Sequence, residues 1–509
     1  IHITRLLFLL PVLTAGFLFA IIIAKSELIK ISSLRFFNGS RWKGDFMEAI
    51  TVLLSQQSKK PLYLQLYEAL TKEIKEGRCP AGERMPSRRR LAEHLKISLN
   101  TVDSAYQMLA AEGKIKLVPR SGYPVCRLEG LPVSRETPPP IPAAAPMPAL
   151  PYDFSVSTVD AGAFPFSTWA RISKDVMYHQ PELLAHGDRQ GDSCLREALS
   201  RYLRQARGVR CAPEQIVVVS GMEYLLMILC ELIGREKVFA VENPGYPRVV
   251  EALSNAGGRV RPLSMDGDGL SAVELSVAGA SAAYITPSHQ FPTGTVMPIG
   301  RRSELLCWAY EQPGRYIIED DYDSEFRFSG RPIPALQGMD SKGRVVYIGT
   351  FSRSIAPSIR ISYMILPPEL LERYRAAFSR YSASVSRFEQ HTLYRFLEGG
   401  YYERHLNRSR SRYKKRLETL VGCLRQGRLA NKIQVIGAQA GLHFLLQVQN
   451  GMTERELIDK ARLRGVKIAG LSSYCFPPLT PSESTLIMGY AHFTSQQIRE
   501  AAALLEKLF

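Results

Sequence analysis

The chain has 509 residues, 45% of them hydrophobic and 22% charged, with a formal net charge of +17. That length calls for two or three domains, and that balance excludes global disorder. The positive excess points to an anionic partner, nucleic acid or a membrane surface, without saying which.

Eight cysteines stand at 79, 126, 194, 211, 230, 307, 423 and 475, with no CxxC or other zinc spacing. They read as reduced thiols in a cytoplasmic protein. No repeat period is visible. Residues 1–46 form an apolar N-terminal extension. Within it Leu6 to Ala24 is an uncharged run of 19 residues that just reaches the length of a membrane span. Arg5 precedes it, and Lys25, Lys30, Arg35, Arg41 and Lys43 follow. As an anchor it would leave everything downstream in the cytoplasm. A cleaved signal peptide is the rival, but no small-x-small site is clear. The bland reading is an upstream artefact, since Met47 opens a segment that needs nothing before it.

Residues 47–127 read as one small domain. Leu62 to Glu76 carries apolar residues at 62, 66, 70 and 74, a helical spacing, and Gly77 stops it. Pro80 and Gly82 make a turn. Ser87 caps a second helix, RRRLAEHL, and Ser98 or Asn100 caps a third that ends at Gly113. Lys114 to Val125 alternates apolar and polar residues around a tight Ser121-Gly122 turn, which reads as a two-stranded wing. Helix, helix-turn-helix and hairpin in this order make a winged DNA-binding domain. From Lys59 to Arg127 there are 14 Lys/Arg against 7 Asp/Glu, the footprint of phosphate contact.

The stretch PAGERMPSRRRLAEHLKISLNTVDSAYQMLAAEGKI, with RSGYPV after it, resembles the GntR-type winged helix. That resemblance implies that Arg89, Asn100 and Thr101 face double-stranded DNA, with Arg120 and Gly122 at the wing tip. Leu99 departs from the family's usual Arg, so one phosphate or base contact is expected to be missing.

Residues 128–152, rich in Pro and Ala, read as an extended, semi-rigid linker. Residues 153–509 alternate helical and short apolar strand segments, the pattern of an α/β domain with a mainly parallel sheet. Ligands of such domains bind at the carboxyl ends of strands. Ser220-Gly221 follows the strand IVVV, where backbone N–H groups suit a phosphate. ENPGYPR follows VFAV and offers Tyr246 to a flat ring and Arg248 to an anion. TPSHQFPTG follows AAYI. YIIEDDYDSEF places Asp320 and Tyr322 past a strand end, suited to a pyridine nitrogen and a ring hydroxyl. A Mg²⁺ site is the rival reading of that acidic run, but no second carboxylate cluster converges with it, so no metal is expected. YIGTFSRSIAPSIRISYMILP sets Ser352, Ser354 and Arg360 between two apolar runs, a donor-rich phosphate site.

Together these motifs resemble the fold-type I aminotransferases. With the winged helix they resemble the MocR/GabR subfamily of GntR transcription regulators, from about Lys60 to the C-terminus. The expected fold is therefore α/β: a winged helix-turn-helix plus an aminotransferase-like effector and dimerisation domain. The resemblance implies a head-to-tail homodimer and pyridoxal 5′-phosphate as cofactor. Asp320 would sit on the ring nitrogen, Tyr322 near the ring hydroxyl, Tyr246 against the ring, and Gly221, Ser352 and Arg360 at the phosphate. An amino acid or pyridoxal vitamer is the expected effector, with Arg248 as its clamp.

The pattern breaks at Arg353, where the family has its Schiff-base lysine. Arginine stays protonated and has no primary amine to condense with an aldehyde. Cofactor binding is then expected to be noncovalent, and aminotransferase activity is disfavoured. Two accounts of Arg353 stand open: drift in a domain kept for dimerisation, or pairing with the cofactor phosphate or another anion. Ser473 stands where carboxylate-binding relatives carry Arg, a second loss. Met222-Glu223 replaces a small polar pair after Gly221 and brings a carboxylate towards the phosphate site.

Overall fold

The computed structural model describes residues 54, 58, 60–118, 122–127, 150–158, 160–328, 333–479, 481 and 483–509. The Leu6 to Ala24 run, Arg120 and most of the 128–152 linker lie outside them. The chain divides into two compact units between residues 145 and 146. Among the described residues no helix is long and apolar enough to cross a membrane.

Among the described residues the first unit is built on three helices. Helix α1 (Leu62–Lys75) buries Leu66, Leu70 and Ile74, one face at a four-residue interval. Helix α2 (Arg88–Leu95) starts where the Ser87 hydroxyl accepts the Arg90 N–H, 3.3 Å away. Helix α3 (Leu99–Ala111) begins after the earlier of the two caps that the pattern offers. Ser98, not Asn100, is its cap, accepting the Thr101 N–H at 3.1 Å. The wing has a strand that the pattern does not reveal. Strand β1 (Arg84–Met85) pairs antiparallel with β2 (Tyr123–Pro124), and bridges join Ile115 to Val125 and Val118 to Gly122. Two residues are too few to display alternation. Tyr106, fully buried, ties α3 to the α2 entrance by donating to the Pro86 carbonyl at 2.9 Å.

In the second unit a short strand, β3 (Tyr152–Asp153), comes first. The main sheet follows: β4 (Ile216–Ser220), β5 (Val238–Asn243), β6 (Arg259–Ser264), β7 (Ala282–Ile285), β8 (Tyr316–Asp321), β9 (Val345–Thr350) and β10 (Ile361–Ile365). Their spatial order is β4-β10-β9-β8-β7-β5-β6. All run parallel except β10, which lies antiparallel to both neighbours. That one reversal positions the site. It sets the beginning of β10 between the ends of β4 and β9, with Ile361 opposite Ser220 and Ser362 opposite Thr350. The turn after β4 and the turn between β9 and β10, distant in sequence, therefore meet. Helices α4 (Ser193–Arg207) and α5 (Met222–Ile233) flank β4.

A second sheet of β11 (Ile433–Ile436), β12 (His443–Val448), β14 (Ala469–Gly470) and β15 (Thr485–Gly489) is antiparallel throughout. Strand β13 (Val466–Lys467) pairs parallel with β3. The Gly489 N–H donates to the Phe154 carbonyl at 2.9 Å, which fixes the segment leading to Val156.

Candidate functional site

The acidic run on β8 shows how the sheet sorts equivalent side chains. Successive residues of a strand face opposite ways. Glu319 and Asp321 share one face. Glu319 accepts the N–H groups of Leu336 and Gln337 at 2.7 and 2.8 Å. Asp321 pairs with buried Arg207 at 2.7 Å and accepts the Tyr347 hydroxyl at 2.5 Å. Asp320 faces the other way, into a cleft lined by Tyr246, Tyr284, Tyr322, Ser352, Arg353 and Arg360 among others. Asp323, beyond the strand, turns to His289, 3.1 Å away. The carboxylates diverge to different partners, so the run does not assemble the Mg²⁺ cage that its sequence allows.

Asp320 is 6% exposed. Its Oδ2 accepts the Tyr284 hydroxyl, while its Oδ1 is buried with no hydrogen-bond partner among the described residues. Burial pushes this carboxyl up to about 7 against the Tyr284 bond, and Asp321, Asp323 and Glu242 add to the rise. An orphaned buried acceptor in a cleft wall is what a ring N–H needs. Tyr284 holds Asp320 in place, and the strand AAYI gives no sign of that role. The parallel register does, since Tyr284 lies opposite Ile318, two residues before Asp320.

Tyr322 donates to the His289 carbonyl at 3.0 Å, with His289 Nδ1 also 3.0 Å from its oxygen. Its hydroxyl is thus committed to His289 in this state. His289, Asp323 and His443 are buried, and their ligand-type atoms lie within 4.8 Å of one another. His289 Nδ1 serves Asp323 and Tyr322, and His443 Nε2 meets the Pro292 carbonyl at 3.0 Å. The group works as a hydrogen-bonded support under Tyr322. Tyr246 packs edge-on against Phe291 with ring centres 5.2 Å apart, leaving its ring on the cleft.

At the other end of the cleft Gly221, Ser352 and Arg360 come together, as their motifs suggest. Gly221 has φ +88°, and a Cβ there would land on the Arg360 guanidinium. Its N–H turns back to the Val219 carbonyl at 3.2 Å. Ser352 accepts the Thr350 hydroxyl at 3.0 Å. Arg360, at φ 56°, bonds the Glu223 carboxylate at 2.8 Å. Arg248 lies 4.0 Å from the same carboxylate. Burial opposes ionisation of Glu223, but Arg360 and Arg248 outweigh it and hold the carboxyl below its usual range.

Arg353 lies in the same cleft, and its Nη1 donates to the Val156 carbonyl. Its charge is felt at Tyr322, His443 and Tyr474. Among the described residues its hydrogen bond is therefore to the arm that enters the domain. Ser473 donates to the Gly470 carbonyl at 2.7 Å.

These residues fit a pyridine ring, with Asp320 for its nitrogen and Tyr246 beside it. They do not fit covalent attachment at position 353, which lacks an amine. Where a phosphate would go, Arg360 is already paired.

On the first unit, Arg89, Leu99 and Asn100 are exposed, and Leu99 is 44% accessible at the first turn of α3. Thr101 shares its hydroxyl with Ser98 at 2.8 Å. Gly122 has φ +90°, which its place in the wing turn requires. Among the described residues Arg89 meets no acceptor, whereas Arg88 is paired with Asp103.

Comparison with known proteins places both units. Residues 154–505 match the family "Aminotransferase class I and II", and residues 62–125 match "Bacterial regulatory proteins, gntR family". The chain is 39% identical over 465 residues to the uncharacterised helix-turn-helix transcriptional regulator YdeL of Bacillus subtilis, covering 90% of this chain and 98% of that protein. It is 34% identical over 475 residues to the probable rhizopine catabolism regulatory protein MocR of Rhizobium meliloti, covering 90% and 96%. The kynurenine aminotransferase of Pyrococcus horikoshii shares the fold of the second unit, with a TM-score of 0.62 at 23% identity over 70% of this chain and 90% of that one.

Proposed function

Because the chain belongs to the MocR-type regulators, which join a GntR helix-turn-helix head to an aminotransferase class I and II domain, we propose that its aminotransferase-like domain is a sensor that holds a pyridine ring noncovalently and controls DNA binding. The chain is a DNA-binding transcription regulator. The single observation that carries the sensor reading is the buried Oδ1 of Asp320 in the cleft wall, which has no partner among the described residues. A neutral or charged buried acceptor without a partner is costly, and a ring N–H removes that cost.

Pyridoxal 5′-phosphate is the cofactor that the fold suggests. When bound, it would supply a ring whose nitrogen pairs with Asp320. Tyr284 orients that carboxylate, Tyr246 covers the ring, and His289 braces Tyr322. No covalent link forms at Arg353, since a guanidinium has no primary amine to offer. The domain is not an aminotransferase on this reading.

The head contacts operator DNA through Arg89, Asn100 and the wing, in a cytoplasmic homodimer whose two heads set the half-site spacing. Ligand shifts the population of head arrangements, so DNA and ligand affinities are linked.

Titration of the full chain with pyridoxal 5′-phosphate, followed by borohydride treatment and mass measurement, tests the sensor. Saturable binding with no fixed adduct supports it, and the Arg353→Lys variant is expected to form one. A fixed adduct in the unaltered chain, or operator affinity indifferent to every pyridine ligand, would overturn it.

A further inference from the structure

The charges at the two ends of the cleft are arranged against the ligand that the fold suggests. At the end where Gly221, Ser352 and Arg360 converge, Glu223 already supplies an anion. It sits in the first turn of α5, bonded to Arg360 at 2.8 Å and 4.0 Å from Arg248. An arriving phosphate dianion must displace this carboxylate from Arg360 or lie against it, and like charges at that separation repel.

On the Tyr322 and Tyr474 side of the cleft a cation stands instead. Arg353 brings a permanent cation to the position of the missing lysine. One of its five N–H donors is spent on the uncharged Val156 carbonyl, and among the described residues no carboxylate pairs with it. A planar guanidinium pairs best with a planar carboxylate, through two parallel hydrogen bonds.

We propose that this cleft takes a pyridine carboxylate without a phosphate, with Asp320 on the ring nitrogen, Arg353 on the ring carboxylate and Glu223 excluding phosphate from the far end. The inference rests on the noncovalent pyridine reading above. It makes Glu223 and Arg353 the residues that set ligand choice. Binding involves no bond making, so the ligand leaves unchanged.

Three probes separate the contributions. 4-Pyridoxate carries the carboxylate and no phosphate. Pyridoxal carries an aldehyde and no phosphate. Pyridoxal 5′-phosphate carries the aldehyde and the phosphate. Calorimetric titration of the full chain is expected to rank them in that order, with 4-pyridoxate about tenfold tighter than pyridoxal, the worth of one charge-assisted hydrogen-bonded pair.

Glu223→Gln is expected to raise the affinity ratio of pyridoxal 5′-phosphate to pyridoxal about five- to tenfold. Arg353→Gln is expected to collapse the ratio of 4-pyridoxate to pyridoxal towards one. Ratios within one variant cancel any general loss of folded protein. If pyridoxal 5′-phosphate binds tightest to the unaltered chain, or Glu223→Gln leaves its ratio where it was, the inference is wrong while the pyridine site stands. If none of the three probes binds, the site reading falls and takes the inference with it.

Discussion

Replacing Asp320 by Asn should stabilise the protein while damaging ligand binding, and the stabilisation should depend on pH. Asp320 is 6% exposed, and its carboxyl is raised from 3.8 to about 7, chiefly by burial. A rise of that size puts about 4 kcal/mol on the ionised folded form as an order of magnitude. The sign follows from linkage. The folded state holds this proton more tightly than the unfolded state does. Below about pH 4 the group is protonated in both states and costs nothing. As pH rises from there to about 7, only the unfolded chain ionises freely, and stability falls. Above pH 7 the whole cost is present.

Asn is neutral throughout and keeps an oxygen to accept the Tyr284 hydroxyl. Urea unfolding followed by tryptophan fluorescence, to which buried Trp308 contributes, checks this. At pH 8 the variant is expected to exceed the parent by about 2–4 kcal/mol, and at pH 4.5 by less than about 1 kcal/mol. The variant should also bind a protonated pyridine ring at least about tenfold more weakly, having lost the charge opposite the ring nitrogen. A stabilising change that costs binding marks a group kept for its site. Equal stability differences at the two pH values, or a variant less stable at pH 8, would refute the argument.

Other perturbations follow from single contacts. Gly221→Ala puts a Cβ onto the Arg360 guanidinium at φ +88°, so thermal unfolding should show a loss of about 1–3 kcal/mol; an unchanged midpoint would mean Arg360 does not lie over that glycine. Arg207→Met leaves Asp321 buried without its 2.7 Å partner and is expected to cost about 3–5 kcal/mol in the same assay. Leu99→Arg places a cation on the exposed start of α3; the slope of log affinity against log salt for operator DNA should steepen by about 0.9 for each bound head, and an unchanged slope would remove that residue from the phosphate face.

The features legible in the sequence are those that a short local pattern can carry. The capped helices of the head, the apolar strands of the large domain and the polar turns at their ends all belong to this class. Helix α1 shows its buried face at 66, 70 and 74 because a four-residue spacing is local. Strand β1 does not show, because two residues cannot alternate, and its partner lies nearly forty residues on. Tyr284 was invisible as the support of Asp320 for a related reason: only the parallel register of β7 and β8 brings the two together.

The roles of Arg353 and Glu223 depend on the same kind of long-range fact. Identity alone marks Arg353 as unable to form the family's covalent link. Where its charge goes follows from the arm at Val156, held by pairing of β3 with β13 some three hundred residues away. Glu223 beside Gly221 suggests a carboxylate near the phosphate end. That it meets Arg360 follows from β10, which runs against both its neighbours and sets residue 360 next to the end of β4. Had β10 run parallel, its beginning and Arg360 would lie at the opposite ends of these strands, leaving Glu223 with Arg248 alone. The reversal that sets Arg360 beside Gly221 is therefore also what lets Glu223 occupy that end of the cleft.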